Sequence, residues 1–161
     1  MRAAAVLACA AVAPAAADDG SDLRIRGMTF VGNQGASAQL VLDSERAIFH
    51  PGSDRAELEK VRAVYRDEEK GESFAMTCDR AELDVETNDF VAAGNVRGVT
   101  ADGQHYAAPV VRYRHAEGLL HSDERVTMRD DTGSFEADGF RYLVREERFK
   151  LLGNVRVVQK P

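Results

Sequence analysis

Met76-Thr77-Cys78-Asp79-Arg80-Ala81-Glu82-Leu83 is repeated in outline 30 residues later as Tyr106-Ala107-Ala108-Pro109-Val110-Val111-Arg112-Tyr113. It returns 29 residues after that as Phe135-Glu136-Ala137-Asp138-Gly139-Phe140-Arg141-Tyr142. Each copy reads apolar, x, small, x, x, apolar, x, large apolar. A fainter copy, Leu42-Asp43-Ser44-Glu45-Arg46-Ala47-Ile48-Phe49, precedes them. Behind the three clear copies comes a second signal with the same spacing: Asn95-Val96-Arg97, Arg125-Val126-Thr127 and Asn154-Val155-Arg156. Lys60-Val61-Arg62 takes the corresponding place behind the faint copy. A fixed period of this length means one supersecondary unit stacked on itself.

Between these words the apolar residues alternate with polar ones, the period of a strand with one buried face. Ala81, Leu83 and Val85 share a face, as do Phe90, Ala92, Gly94 and Val96. Val111 pairs in this way with Tyr113, Val126 with Met128, Phe140 with Tyr142, and Val155 with Val157. Arg97, Arg112, Arg114, Arg141 and Arg156 fall between them and are expected in water. Turn residues cluster at 32–35, 50–53, 67–71, 86–89, 101–103, 115–118, 130–133 and 145–147. Short strands of about five to seven residues, separated this regularly, predict an all-β fold. Leu23-Arg24-Ile25-Arg26 opens the series, with Met28 to Val31 extending it, and Ala38 to Phe49 reads as two strands broken near Asp43-Ser44. Arg55 to Asp67 is the one segment that also fits a helix loosely; the repeat makes it strand.

The inner face so defined is small and aliphatic with scattered aromatics. Its candidate lining is Phe49, Met76, Leu83, Phe90, Val96, Tyr106, Tyr113, Val126, Met128, Phe135, Phe140 and Tyr142. Ala81, Ala92, Gly94, Ala108 and Ala137 recur where strands approach, and side chains this small leave room that a filled core would close. The expectation is an apolar groove.

Composition narrows the function. The net charge is −6 and there is no basic block, so nucleic acid is excluded as a partner, since phosphate neutralisation carries most of that affinity. Residues 1–17 read as a cleaved signal peptide: Arg2, an Ala-rich apolar run to Val12, Pro14, and Ala15-Ala16-Ala17 before Asp18. The run is shorter than the ~20 residues of a bilayer-spanning helix; a short anchor, or lipidation at Cys9 in Val6-Leu7-Ala8-Cys9, are the alternatives. Residues 18–161 are then a single domain. Cleavage leaves Cys78 as a lone thiol in a position otherwise Ala or Ser, which reads as a small buried filler. Asp131-Thr132-Gly133 spells the aspartic-protease word but lies in a predicted hairpin behind Arg129-Asp130. His50, His105, His115 and His121 show no metal-ligand spacing and read as exposed. No phosphate-binding loop, nucleophile elbow or paired inward carboxylates are present. No cofactor or metal is expected, and the chain reads as a non-enzyme.

The run from Phe74 to Asp84 followed by Phe90-Val91-Ala92-Ala93-Gly94-Asn95-Val96 resembles the repeat of the periplasmic lipopolysaccharide-transport (Lpt, OstA-like) proteins. Its continuation through Gly118-Leu119-Leu120-His121-Ser122 and Gly139-Phe140-Arg141-Tyr142 to Phe149-Lys150-Leu151-Leu152-Gly153-Asn154-Val155 is similar to the LptC family, from about Met28 onward. That resemblance implies a twisted, open β-jelly-roll of antiparallel strands built from the ~30-residue repeats. It implies lipopolysaccharide as ligand, an inner-membrane lipopolysaccharide ABC transporter as donor, and an LptA-like jelly-roll as acceptor in a periplasmic bridge. The family's membrane-spanning N-terminus is not matched here, so a soluble LptA-like role stays open, as does a purely structural β-repeat. Acyl chains gain roughly 0.8 kcal/mol per buried methylene, so an apolar trough holds them without catalysis. The first and last strands, with Leu23, Ile25, Val155 and Val157, are expected to be free edges to which a partner strand adds.

Overall fold

A computed structural model of the chain describes residues 21–34 and 37–161; the proposed leader, residues 1–17, and Cys9 lie outside them. The described residues form β1 (Leu23–Gln34), β2 (Ala38–His50), β3 (Arg55–Asp67), β4 (Gly71–Asp84), β5 (Phe90–Thr100), β6 (His105–Arg114), β7 (Leu119–Ser122), β8 (Val126–Arg129), β9 (Gly133–Ala137), β10 (Gly139–Leu143), β11 (Arg148–Leu152) and β12 (Arg156–Gln159). A 3-10 turn at Pro51–Ser53 joins β2 to β3. Every pairing is antiparallel. β1 to β6 run in sequence order, and the sheet then forks. Residues 112–114 of β6 continue into β7, β10 and β11; residues 105–107 continue into β8, β9 and β12. This is the antiparallel jelly-roll expected from the sequence.

The strands are longer than the alternation suggested. β2, β3 and β4 each run unbroken for 13, 13 and 14 residues, because each strand bends once without leaving its ladder. The bends line up across the sheet. Gly27, Glu45, Lys60 and Asp79 fall opposite one another between paired neighbours. Gly94–Asn95 then faces the single residue Pro109 in a bulge. In the short strands the same line is an outright break, at 123–125, at Asp138 and at 153–155. The result is one sheet folded along a crease. One layer holds residues 23–26, 46–50, 55–59, 80–84, 90–93 and 110–114 with β7, β10 and β11. The other holds 28–34, 38–44, 61–67, 71–77, 96–100 and 105–107 with β8, β9 and β12.

The repeat is the chemistry of this crease. Lys60, Gly94, Asn95 and Gly153 all take left-handed backbone, with φ of 53°, 78°, 47° and 67°. Gly94 does so without penalty, whereas Lys60 and Asn95 each carry roughly 1–2 kcal/mol of strain. Asn95 offsets it by donating its side-chain amide to the Asp79 carboxylate at 2.8 Å, and Asn154 donates to Asp138 at 2.7 Å in the same way. The assignment of Lys60 to the Asn position therefore holds in its backbone. Pro109 sits mid-strand because the bulge leaves no ladder bond for its missing N–H.

The two layers face each other across an apolar interior. Tyr142 donates its hydroxyl to the Ser73 carbonyl at 3.2 Å, and Tyr106 packs on Phe140 at 5.5 Å between ring centroids, both from layer to layer. On the side away from the crease the hairpin tips meet: Lys70 donates to the Arg145 carbonyl at 3.2 Å, and His115 Nε2 lies 3.0 Å from the Asn33 carbonyl.

Asn95→Ala is expected to cost about 1–2 kcal/mol, because it loses the Asp79 bond and keeps a Cβ at positive φ. Asn95→Gly should cost clearly less, since it relieves the backbone. Urea unfolding of both variants checks the order; equal losses would mean the bend does not constrain this position.

Candidate functional site

The cross-strand register sorts the interior into rows. In the first layer, Leu23, Phe49, Ala56, Leu83, Phe90, Tyr113, Leu120, Tyr142 and Phe149 stand opposite one another from strand to strand. In the second, Phe30, Leu42, Ala63, Met76, Gly98, Tyr106, Met128, Phe135 and Val157 do the same. All twelve lining candidates are therefore on the inner side. Phe49, Leu83, Phe90, Tyr113, Phe140 and Tyr142 belong to one layer, and Met76, Val96, Tyr106, Val126, Met128 and Phe135 to the other. Arg97, Arg112, Arg114, Arg141 and Arg156 are exposed on the outside.

The interior is not the empty trough anticipated. Apart from Phe49 and Phe135, which are partly buried, every lining candidate is at most 6% exposed. Tyr65 stacks on Phe74 at 6.0 Å, Phe74 touches Tyr113 at 6.3 Å, and Phe140 stacks on Phe149 at 5.2 Å. The small residues have a different reason from the one inferred. Ala47, Cys78, Ala81, Ala92, Ala108 and Ala137 flank the crease, each paired in register with a larger buried residue, Leu58, Val61, Val96, Val111 or Val126, so that the space beside each small side chain is filled by its neighbour. Gly94 is not an inner-face residue at all; a Cβ there would meet Asp79 at 3.0 Å. Gly98 is the position that makes space, because the Tyr106 ring lies where its Cβ would be.

The apolar interior surfaces at the two ends of the stack. Leu23 is 52% exposed beside partly buried Ile25, Met28, Phe30 and Phe49, and Val157 is 53% exposed beside Phe135, with Phe149 and Leu151 close to the same end. Among the described residues β1 pairs only with β2, β12 only with β9, and β11 only with β10. Of the anticipated edge residues, Leu23 and Ile25 are on β1 and Val157 is on β12, while Val155 lies just before β12 at the crease. β11 is a third edge that the sequence did not single out. Phe149, Tyr65 and Phe74 were also absent from the expected lining, although period-two alternation marks all three.

Cys78 is buried with Sγ 3.2 Å from the Arg80 carbonyl, and burial pushes its thiol up to about 11. Asp130 caps the turn before Gly133, accepting from the Thr132 hydroxyl and from two backbone N–H groups, which holds its carboxyl below the usual range; Asp131 beside it is exposed. Two of the four histidines depart from expectation by being buried. His115 is held by Asn33 and donates its backbone N–H to the Asp89 carboxylate; His121 is lowered by desolvation and by Arg141. His50 lies 2.6 Å from Asp22 and is raised by it. Among the described residues no metal-ligating cluster forms, and the buried polar residues are Ser, Thr and His without a carboxylate.

A family model described as lipopolysaccharide-assembly, LptC-related, matches residues 17–160. The structure is similar to the crystal structure of LptH, the LptA homologous periplasmic component of the conserved lipopolysaccharide transport device from Pseudomonas aeruginosa. The TM-score is 0.58 at 10% identity, over 76% of this chain and 95% of that one. No curated protein matches the chain.

The Tyr106 hydroxyl is buried deep in the apolar interior with no hydrogen-bond partner, and desolvation holds its phenol strongly protonated. An unmet buried hydroxyl costs roughly 1–3 kcal/mol. Tyr106→Phe is thus expected to leave the unliganded protein equally stable or more stable by about 1 kcal/mol. Chemical unfolding reads this directly; a clear loss of stability would mean that the hydroxyl is satisfied.

Proposed function

The chain belongs to the lipopolysaccharide-assembly, LptC-related family, and we propose that it is a non-enzymatic periplasmic bridge protein of lipopolysaccharide transport, holding acyl chains between its two layers. The observation that carries this reading is the continuous apolar interior that reaches the surface at both ends of the stack. Because that interior is packed, the ligand is admitted by parting the layers at the hairpin-tip side, where side-chain and single backbone contacts replace the covalent crease. Burial of acyl methylenes, at roughly 0.8 kcal/mol each, offsets the side-chain packing that opening disrupts. The orphan Tyr106 hydroxyl supplies a donor for an acyl ester carbonyl. Cargo would arrive from an inner-membrane ABC transporter and leave for an LptA-like jelly-roll.

Edge-strand addition is the docking mode that the free edges favour. Among the described residues β1, β11 and β12 each offer a row of unpaired backbone groups. Exposed Leu23 and Val31 on β1, and Val155, Val157 and Val158 at β12, put most of the exposed large apolar side chains at these edges.

A photocrosslinking residue at Leu83, Tyr113 or Phe140 is expected to capture lipopolysaccharide in membranes, and one at Arg112 on the outer face is not. Labelling from Arg112 alone, or from none of these, would leave a structural β-repeat as the better account. Val157→Pro removes a donor from an edge without touching the core. It should leave thermal unfolding unchanged while reducing capture of the LptA-like partner by about tenfold; unchanged capture rejects β12 as the docking edge.

A further inference from the structure

The outer faces carry two concavities of opposite electrostatic character. One, of about 860 Å³, lies over the first layer and holds Arg24, Arg26, Arg46 and Arg80 together with Glu57, Glu59 and Glu82. Its charges are mixed, and Arg46 pairs with Glu59 at 3.5 Å. The other, of about 580 Å³, lies over the second layer and holds Arg62, Arg97, Arg129 and His105 with no carboxylate in its lining.

The ladder explains how this second pocket is built. Arg62, Thr77, Arg97, Ala107 and Thr127 stand opposite one another across β3, β4, β5, β6 and β8. The neighbouring outward row is Ala75, Val99, His105 and Arg129. Small outward residues, Ala75 and Ala107, separate the arginines and form a floor between long cationic walls. Arg97 is two strands from Arg62 and two from Arg129, about 10 Å along the sheet each way, so it shares a ligand with either neighbour, while Arg62 and Arg129 lie at opposite ends of the hollow.

Elsewhere several arginines meet acids: Arg55 meets Glu82, Arg114 meets Glu117 at 3.3 Å, Arg141 meets Asp123 at 3.7 Å, and Arg148 meets Glu146 at 3.3 Å; in the mixed concavity Arg24, Arg26 and Arg80 stand among carboxylates. Among the described residues Arg62, Arg97 and Arg129 have no ion pair. Asp43 stands across from Arg62 but takes the Thr29 hydroxyl at 2.7 Å, and Glu136 stands across from Thr127 at the pocket rim. A chain of net charge −6 that gathers unpaired cations in a concavity has an anion-binding surface there.

We propose that this outer pocket is a binding site for a phosphate monoester, separate from the interior and independent of the lipid-carrying reading. Arg97 together with either flanking arginine offers two guanidinium forks, which suit a dianion with three terminal oxygens better than a single carboxylate. The Thr77 and Thr127 hydroxyls add neutral donors, and the volume suits a sugar-sized substituent. The floor offers no outward aromatic ring on which a nucleobase would stack.

The test is a titration of the mature chain with glucose 1-phosphate, followed by amide chemical shifts and calorimetry, with glucose as the uncharged control. Saturable binding with a Kd of about 1 mM or tighter is expected, with shifts centred on Thr77, Arg97, Gly98 and Thr127. R97Q should weaken it about tenfold or more, and R129Q should weaken it in the same direction should R97Q fail to fold. R24Q/R26Q, on the other face, should not. Flotation with phosphatidic acid vesicles, against phosphatidylglycerol vesicles, identifies the source: R97Q-sensitive flotation assigns a lipid headgroup, and binding of the free ester without flotation assigns a soluble one. Absence of saturable binding, or binding indifferent to R97Q and R129Q, overturns the site.

Discussion

Every long strand of this protein has to turn the same corner at the same height. That shared bend is the constraint on which the rest depends. An antiparallel ladder transmits geometry sideways, so a strand that bent one residue early would put its inward side chains on the outer face. The solution is a row of permissive positions: Gly27, Lys60, Gly94–Asn95 and Gly153 in left-handed backbone, with Pro109 at a bulge. Asp79 and Asp138 anchor the asparagines that follow them in the ladder. The repeat visible in the sequence is a repeat of corners.

The corner sets what the interior can be. Next to the crease Ala, Cys and Ser alternate with Leu and Val from strand to strand, and further out the rows are dominated by Tyr, Phe and Leu. A wedge-shaped core follows, with its thin side covalently continuous and its thick side closed by contacts between hairpin tips. Stacking strands also leaves apolar ends at β1 and at β11 and β12, where no further strand covers them among the described residues.

The outside follows the same logic with reversed chemistry. Outward residues in register make charged rows across the layers. Where acids and arginines share a row the charges compensate, as beside Arg46 and Glu59. Over the second layer they do not, and Arg62, Arg97 and Arg129 frame a cationic hollow on an otherwise acidic protein.

The amino-acid order by itself determined the strand series, the period, and which residues face inward. Alternation of side chains is a local property, and it survives in Leu83, Phe90, Tyr113 and Tyr142 without knowledge of any neighbour. It also identified Lys60 as the counterpart of Asn95, since a left-handed corner selects by position. The reading of Ala81, Ala92, Ala108 and Ala137 as an open channel failed, because the volume beside a small side chain belongs to whatever packs against it. Only the folding of the sheet decided that volume, by bringing the second layer down on the crease. Only the tertiary structure, likewise, buried His115 and His121, left the Tyr106 hydroxyl without a partner, and gathered Arg62, Arg97 and Arg129 into one hollow, since those are facts about strands distant in sequence and adjacent in space.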